Sequence, residues 1–213
     1  MIALLAFAAL QDGPATRVLL VGGDPALPPS MRSLGFEVRL VQWADVASFD
    51  LSDADVVYLP SCWANTPEQL AAAEEQAGRL RAFVERGGGL VAGQANAFLL
   101  PDRTVTPGLL PYPITFYCRY DDDRRLENLS HDHFITEDVA PEDLPFPADT
   151  LTHVDERYAV LARQAKTGNV ALAVCAFGDG RVVVHTAAEG PRASVLLSDE
   201  VLRRMVVWAA GRD

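Results

Sequence analysis

The fold is decided by the stretch Glu85-Arg-Gly-Gly-Gly-Leu-Val-Ala-Gly-Gln-Ala-Asn-Ala-Phe98, in which a helix end, a short strand and a sharp turn follow one another. Gly87 suits the left-handed conformation that ends many helices. The apolar run from Gly89 to Ala92 is too short for a buried helix and is typical of a buried strand. Gly93 then begins a turn, which predicts a strand–turn–helix elbow with Ala95 at its tip. In an open α/β sheet this elbow lies at the carboxyl edge of the strands, where ligands bind.

Strands and helices alternate on both sides of this elbow. Thr66 as N-cap and Pro67 at the first helical position predict a helix whose apolar positions continue to Val84. An amphipathic helix from about Ser198 to Ala210 closes the chain. The predicted strands are Arg17–Val21, Gly35–Val41, Asp53–Pro60, Gly89–Ala92, Ile114–Tyr120, Tyr158–Ala162, Val170–Val174 and Arg181–His185. This order predicts an α/β fold: a flavodoxin-like open, mainly parallel sheet with helices on both faces and, across Asp179-Gly180, a C-terminal β-hairpin.

Length and composition fit a single globular domain of 17–213, since the chain has 213 residues, of which 49% are hydrophobic and 22% charged. Residues 101–147 depart from the alternating pattern and contain the acidic run Asp121–Asp123, so we expect an insertion on the carboxyl edge. Residues 1–16 are a signal or an N-terminal extension. Ala6-Phe7-Ala8 resembles a cleavage site, but no basic residue precedes it, so export and a cytoplasmic location both stay open.

The charge balance excludes some partners. The formal net charge of -11 describes an acidic protein, and nucleic-acid binding needs a concentrated basic face, so neither a nucleic acid nor an anionic membrane surface is expected. The apolar start is too short for a stable membrane span. Cys62, Cys118 and Cys175 show no C-x-x-C spacing, which predicts neither a disulfide framework nor a zinc site. No cofactor is predicted, and homo-oligomerisation stays open.

Several phrases of the sequence carry a family resemblance. They are Arg17-Val-Leu-Leu-Val-Gly-Gly, Gly35-Phe-Glu-Val, Asp55-Val-Val-Tyr-Leu, Leu80-Arg-Ala-Phe-Val-Glu-Arg-Gly-Gly-Gly-Leu-Val, Asp155-Glu-Arg-Tyr and Gly178-Asp-Gly-Arg-Val-Val-Val. In this order, over about 17–210, they resemble the class I glutamine amidotransferase-like superfamily, and within it the ThuA-like (trehalose utilisation-like) branch.

The resemblance implies a scaffold more than a reaction. Amidotransferases of this superfamily place a Cys nucleophile at the elbow tip and a His and a Glu, as H-x-E, after a later strand. Here Ala95 stands at the nucleophile position, and His185 is followed by Ala187 where the Glu belongs. Ser61-Cys62-Trp63 replaces the glycines of the family's oxyanion loop. A methyl group cannot attack an amide, so the resemblance implies a pseudoenzyme that does not hydrolyse glutamine.

The predicted function is binding of a small polar, carbohydrate-related ligand at the carboxyl edge. The candidate ligand-binding residues are Gly23, Asp24, Cys62, Trp63, Gln94, Asn96 and His185. The sequence leaves two alternatives open: a non-catalytic accessory module, and a hydrolase in which Cys62 and His185 form a thiolate–imidazole pair. Each residue also has a structural interpretation, because a lone Cys is usually a small buried hydrophobe and Trp63 can cap the core. His131 and His133 offer two metal ligands but no third, so a solvated loop is favoured and no metal is predicted.

Overall fold

The computed structural model describes residues 14–22, 27–60, 63–64, 66–95, 104–117, 126–127, 130–140, 150–187 and 198–213. In chain order the elements are β1 (Arg17–Val21), α1 (Leu27–Ser33), β2 (Glu37–Val41), α2 (Trp43–Val46), a 3-10 turn (Leu51–Asp53), β3 (Val56–Leu59), α3 (Pro67–Glu75), α4 (Ala77–Glu85), β4 (Gly89–Ala92), β5 (Thr104–Val105), β6 (Ile114–Tyr117), β7 (Leu126–Glu127), β8 (Thr150–Val154), β9 (Ala159–Gln164), β10 (Val170–Phe177), β11 (Gly180–His185) and α5 (Asp199–Ala209).

One half of the sheet is parallel, as the sequence predicts. The strands lie in the order β2-β1-β3-β4-β11, and every neighbouring pair in this half runs parallel. Edge strand β2 alternates exposed and less exposed positions, whereas β3 and β4 are buried at every residue. A strand that is covered on both faces has no solvated side, which explains the continuous apolar run at 89–92.

The other half is antiparallel, so the prediction of a mainly parallel sheet is wrong. Beyond β11 the sheet continues as β10-β8-β6-β5, and β9 pairs with both β10 and β7. All of these pairings are antiparallel. The two-residue turn at Gly178 and Asp179 requires this direction for β10 and β11, because a parallel return needs a long crossover. This pair lies inside the mixed sheet and is followed by helix α5.

Helices cover the two faces of the parallel half. The predicted N-cap at Thr66 is confirmed, since its hydroxyl accepts from the amide of Gln69. The single helix predicted after it is two helices that break at Gln76, where the backbone amide bonds back to Ala73. The break lets α3 pack on α2 while α4 packs on β4 and β11. Helix α5 begins after Ser198 as predicted, and Val201, Met205 and Val206 are buried.

The sheet separates two apolar cores. One lies between the sheet and helices α2 to α4, and includes Trp43, Trp63, Leu80 and Ala95. The other lies on the face covered by α1 and α5. None of the helices formed by the described residues combines the length and the apolar character that a bilayer crossing requires.

Candidate functional site

The carboxyl ends of β3, β4 and β11 meet at one edge because these strands run parallel side by side. Tyr58 pairs with Val91, and Val91 pairs with Val183, so the three residues form one row across the sheet. All three are buried in the core beneath α1 and α5. The amide of Gly93 bonds to the carbonyl of Leu59 at 2.7 Å, which continues the pairing beyond β4. Gly93 therefore occupies the next position of β4 on the Val91 face.

Tyr58 and His185 make a buried polar contact at this edge. His185 follows Val183 by two residues, which places its imidazole on the same face and nearer the strand ends. The hydroxyl of Tyr58 lies 3.4 Å from Nε2 of His185, and the ring centroids are 6.3 Å apart. Both side chains have 0% exposure. The residue of β4 at this level is Gly93, so no side chain of the intervening strand separates phenol from imidazole.

Trp63 closes the same edge from the opposite face of the sheet. Its indole Nε1 donates to the carbonyl oxygen of Gly93 at 2.9 Å. The indole Nε1 of Trp43 in turn donates to the carbonyl oxygen of Trp63 at 2.8 Å, and the two ring centroids are 5.7 Å apart. Trp63 is 2% exposed and belongs to the core beneath α2 to α4. The ring anchors the end of β4 and presents no open face for stacking.

The two positions that the resemblance aligns with a nucleophile and a glutamate hold buried alanines. Ala95 has 0% exposure and Ala187 has 1%. Gln94, beside the elbow tip, is also buried, at 6%. Thr186 donates its amide to the carbonyl of Ala171 at 3.0 Å. At this edge the described side chains thus offer hydrogen-bonding groups and methyl groups, with no carboxylate or thiol among them.

Buried polarity is concentrated at this edge. The described part of the chain buries six polar residues, Thr16, Gln94, Thr136, Gln164, His185 and Thr186, and three of them follow or end β4 and β11. Of the sequence-predicted site residues, the structure brings Trp63, Gln94 and His185 to the strand ends around Gly93. Gly23, Asp24, Cys62 and Asn96 lie outside the described residues.

Sequence reasoning missed Tyr58 as a site residue. A usable signal is present, because a tyrosine in an otherwise aliphatic run before Pro60 carries a hydroxyl that needs a partner when it is buried. The partner itself cannot be read from the sequence. It is 127 residues away and two strands across.

The turn 155–158, part of the family resemblance, is a rigid structural unit. The carboxylate of Asp155 accepts from both Nε and Nη2 of Arg157 at 2.7 Å, which lowers the pKa of Asp155 to about 2. The guanidinium lies 3.8 Å from the ring centroid of Tyr112. Tyr158 donates its hydroxyl to the carbonyl of Tyr112, and burial raises the pKa of that phenol. Burial also raises the pKa of the nearby Cys175 thiol to about 12, so this thiol is not a nucleophile.

The His-Asp-His segment does not form a metal centre within the described residues, where no group of three or more potential ligands comes together. His131 is exposed. His133 is half-buried, accepts the amide of Ile135 at Nδ1 over 3.2 Å, and packs 5.2 Å from the ring centroid of Trp208. Burial lowers the pKa of His133. Its imidazole therefore helps to hold this segment against α5.

Open clefts also occur away from the carboxyl edge. One of about 320 Å³ includes Arg17 and Glu37, and one of about 400 Å³ includes Arg79 and Arg212, both near the amino ends of the parallel strands. Arg17 and Arg212 both pair with Asp55, at 2.8 and 3.2 Å, so these guanidiniums have internal partners. A third cleft of about 400 Å³ opens between β8 and β9.

Comparison with known proteins identifies the fold. No protein-family model and no curated protein matches the chain. A cytoplasmic protein of Salmonella typhimurium is similar in structure at 12% identity and a TM-score of 0.59, covering 91% of this chain and 98% of that one. A putative ThuA-like protein of Parabacteroides merdae is similar at 13% identity and a TM-score of 0.55, covering 93% of this chain and 90% of that one. PurLQS of Thermotoga maritima is similar at 17% identity and a TM-score of 0.57, covering 92% of this chain and 99% of that one. The fold is thus the class I glutamine amidotransferase-like fold, which a ThuA-like protein shares.

Proposed function

We propose that this protein is a non-glutaminase member of the amidotransferase-like superfamily that binds a small polar, carbohydrate-related ligand at the carboxyl edge of β3, β4 and β11. The observation that carries the proposal is the group of buried polar side chains, above all His185 and Tyr58, at the ends of these three strands. Open α/β sheets bind their ligands at the carboxyl ends of the strands, where these groups lie.

The absence of a nucleophile at the elbow argues against glutaminase chemistry. Ala95 and Ala187 are both buried, so neither position can contribute an attacking atom or a carboxylate. The family mechanism needs both groups. Binding without this reaction is therefore the simpler role for the edge.

The chemistry of the described edge favours an uncharged ligand. Gln94, His185 and Tyr58 supply an amide, an imidazole and a phenol, which donate and accept hydrogen bonds without a formal charge on amide or phenol. A sugar or polyol presents hydroxyl groups that match such a set. An anionic ligand would call for a guanidinium or ammonium, and the described residues at this edge include none. The resemblance to ThuA-like proteins points to the same class.

A thermal-shift screen of sugars and polyols tests the proposal. We expect at least one compound to raise the Tm of the wild type in a concentration-dependent way, because a ligand that binds only the folded state stabilises it. Gln94→Ala and His185→Ala should reduce that rise. Gln164→Ala is the matched control, since this glutamine is equally buried but lies in β9, away from the edge. It should lower the Tm without changing the ligand-induced rise. If no sugar or polyol shifts the wild type, the accessory-module alternative is favoured.

A further inference from the structure

His185 needs a partner to fix its ring and its tautomer if it is to present one defined nitrogen to a ligand. In the resembled family the partner follows the histidine by two residues as a glutamate. Here that position is Ala187, which is buried and whose methyl side chain cannot form a hydrogen bond. We infer that Tyr58, from a different strand, takes over this role. Tyr58 is a positioning residue that holds His185 as the neutral tautomer with its proton on Nδ1, an inference that rests on the proposed function for its role in ligand binding.

Tyr58 is held rigidly enough for the task. It lies in a strand that is buried at every residue and is paired on both sides, with Leu20 of β1 and with Val91 of β4. His185 ends β11, which pairs with β4 and β10. The two side chains are thus both placed by the sheet itself and not by loops, and elements of this kind position functional groups most precisely.

The absence of a side chain at Gly93 makes the contact possible. The Tyr58 row contains Val91 and Val183, so the phenol has to extend towards the strand ends to meet His185. The phenol passes over β4 at Gly93. The carbonyl of Gly93 accepts a hydrogen bond from Trp63, which lies on the opposite face of the sheet. Gly93 itself contributes no side chain at this level.

The direction of the hydrogen bond follows from acidity. A phenol ordinarily has a pKa of about 10, and an imidazole is the better acceptor of the two. The hydroxyl of Tyr58 therefore donates a hydrogen bond to Nε2 of His185, and the imidazole carries its own proton on Nδ1. Nδ1 is then the donor nitrogen of the ring. Nε2 is occupied, so it cannot act as the general base for a thiol such as Cys62.

Nitrogen-15 NMR of the histidine side chains tests this assignment directly. The protein holds four histidines, and the signals of His185 are those that a His185→Gln variant lacks. At a pH above the usual range of histidine titration, the wild type should show a protonated Nδ1 and an unprotonated Nε2 at His185. Tyr58→Phe, which removes only the hydroxyl, should abolish this preference. Tyr158→Phe is the control, because it removes a buried phenol hydroxyl elsewhere in the fold, and it should leave the His185 signals unchanged.

The outcomes separate the inference from the proposed function. A proton on Nε2 in the wild type overturns the inference, even if Tyr58→Phe does not fold. Unchanged His185 signals in a folded Tyr58→Phe overturn it as well. The same variants then enter the sugar and polyol screen, where Tyr58→Phe should reduce the ligand-induced rise in Tm and Tyr158→Phe should not. If the NMR result is as expected but no compound shifts the wild type, Tyr58 still positions His185, and it is the ligand proposal that fails.

Discussion

The indole N–H of Trp63 donates to the carbonyl oxygen of Gly93 across 2.9 Å, and this bond ties the segment after β3 to the end of β4. Trp63 is itself held through its carbonyl by the indole of Trp43. The position of Gly93, over which Tyr58 reaches His185, is thus determined by the core on the far side of the sheet. Gly93 thus connects the candidate site to the core beneath α2 to α4.

Trp63→Phe tests this link. The variant keeps an aromatic ring but leaves the Gly93 carbonyl without its buried donor, which should lower the free energy of unfolding by about 1 to 3 kcal/mol. Urea denaturation followed by circular dichroism measures the change. Trp208→Phe, at a half-buried position on α5, serves as the control and should lose less. Equal losses in the two variants would show that the Trp63 donor has no particular importance.

Gly180 and Gly78 should respond to alanine in opposite directions. A Cβ at Gly180 would overlap the carbonyl oxygens of Val84 and Gly88, so Gly180→Ala forces α4 and the start of β11 apart. We expect a loss above about 2 kcal/mol, in the range of overpacked cores. A Cβ at Gly78 has nothing within 4 Å, and alanine is the better helix former by about 1 kcal/mol, so Gly78→Ala should be stabilising. Thermal melts of both variants decide the matter, and a neutral Gly180→Ala would contradict the tight contact.

The sequence predicts local features well because they depend on neighbouring residues. The buried strand at 89–92 and the N-cap Thr66 are examples, since a run of apolar residues or a hydroxyl before a helix is sufficient. The mixed sheet could not be predicted in the same way. Whether β8 lies beside β10 or elsewhere depends on contacts between distant segments, which leave no periodic signal.

The same limit applies to the candidate site. His185 is identified by its place after an apolar strand, and we expected an imidazole at the rim of a pocket. The structure buries it completely and gives it a phenol from two strands away. That pairing depends on register and on the missing side chain at Gly93. Only the three-dimensional arrangement brings these facts together.

The stability of the protein should fall between neutral and mildly acidic pH because of His133. Burial lowers its pKa, with Arg181 acting in the same direction and Asp213 opposing it, so the unfolded state binds a proton at a higher pH than the folded state does. As the pH falls below about 6.5, the unfolded state is protonated first and folding becomes less favourable. Protonation would also remove the acceptor that Nδ1 offers to the amide of Ile135.

Urea denaturation at several pH values between about 8 and 5 measures this effect. The stability of His133→Gln should decline less than that of the wild type over this interval. His131→Gln is the control, because His131 is exposed, and it should keep the wild-type dependence. A wild-type slope in His133→Gln would assign the pH dependence to other groups.

Cys175 should be unreactive while the protein is folded. The thiol is 5% exposed, and burial raises its pKa to about 12, so almost no thiolate forms near neutral pH. A variant with Cys62 and Cys118 changed to serine leaves Cys175 as the only thiol. Alkylation by iodoacetamide, followed by mass spectrometry, should be slow in buffer and rapid in urea. Rapid alkylation of the folded protein would place the thiol in a more open environment than the structure gives it.

The purified protein should release no ammonia from glutamine, because Ala95 offers only a buried methyl group at the elbow. Ala95→Cys tests how far the scaffold alone can support the reaction. It adds the nucleophilic atom, but Ala187 still provides no carboxylate, and Nε2 of His185 already faces the Tyr58 hydroxyl. A thiol without a base to activate it reacts slowly, so we expect Ala95→Cys to remain inactive in an ammonia-release assay. Activity in Ala95→Cys that disappears on adding His185→Ala would show that His185 is available as a base, and would overturn the assignment of its Nε2 to Tyr58.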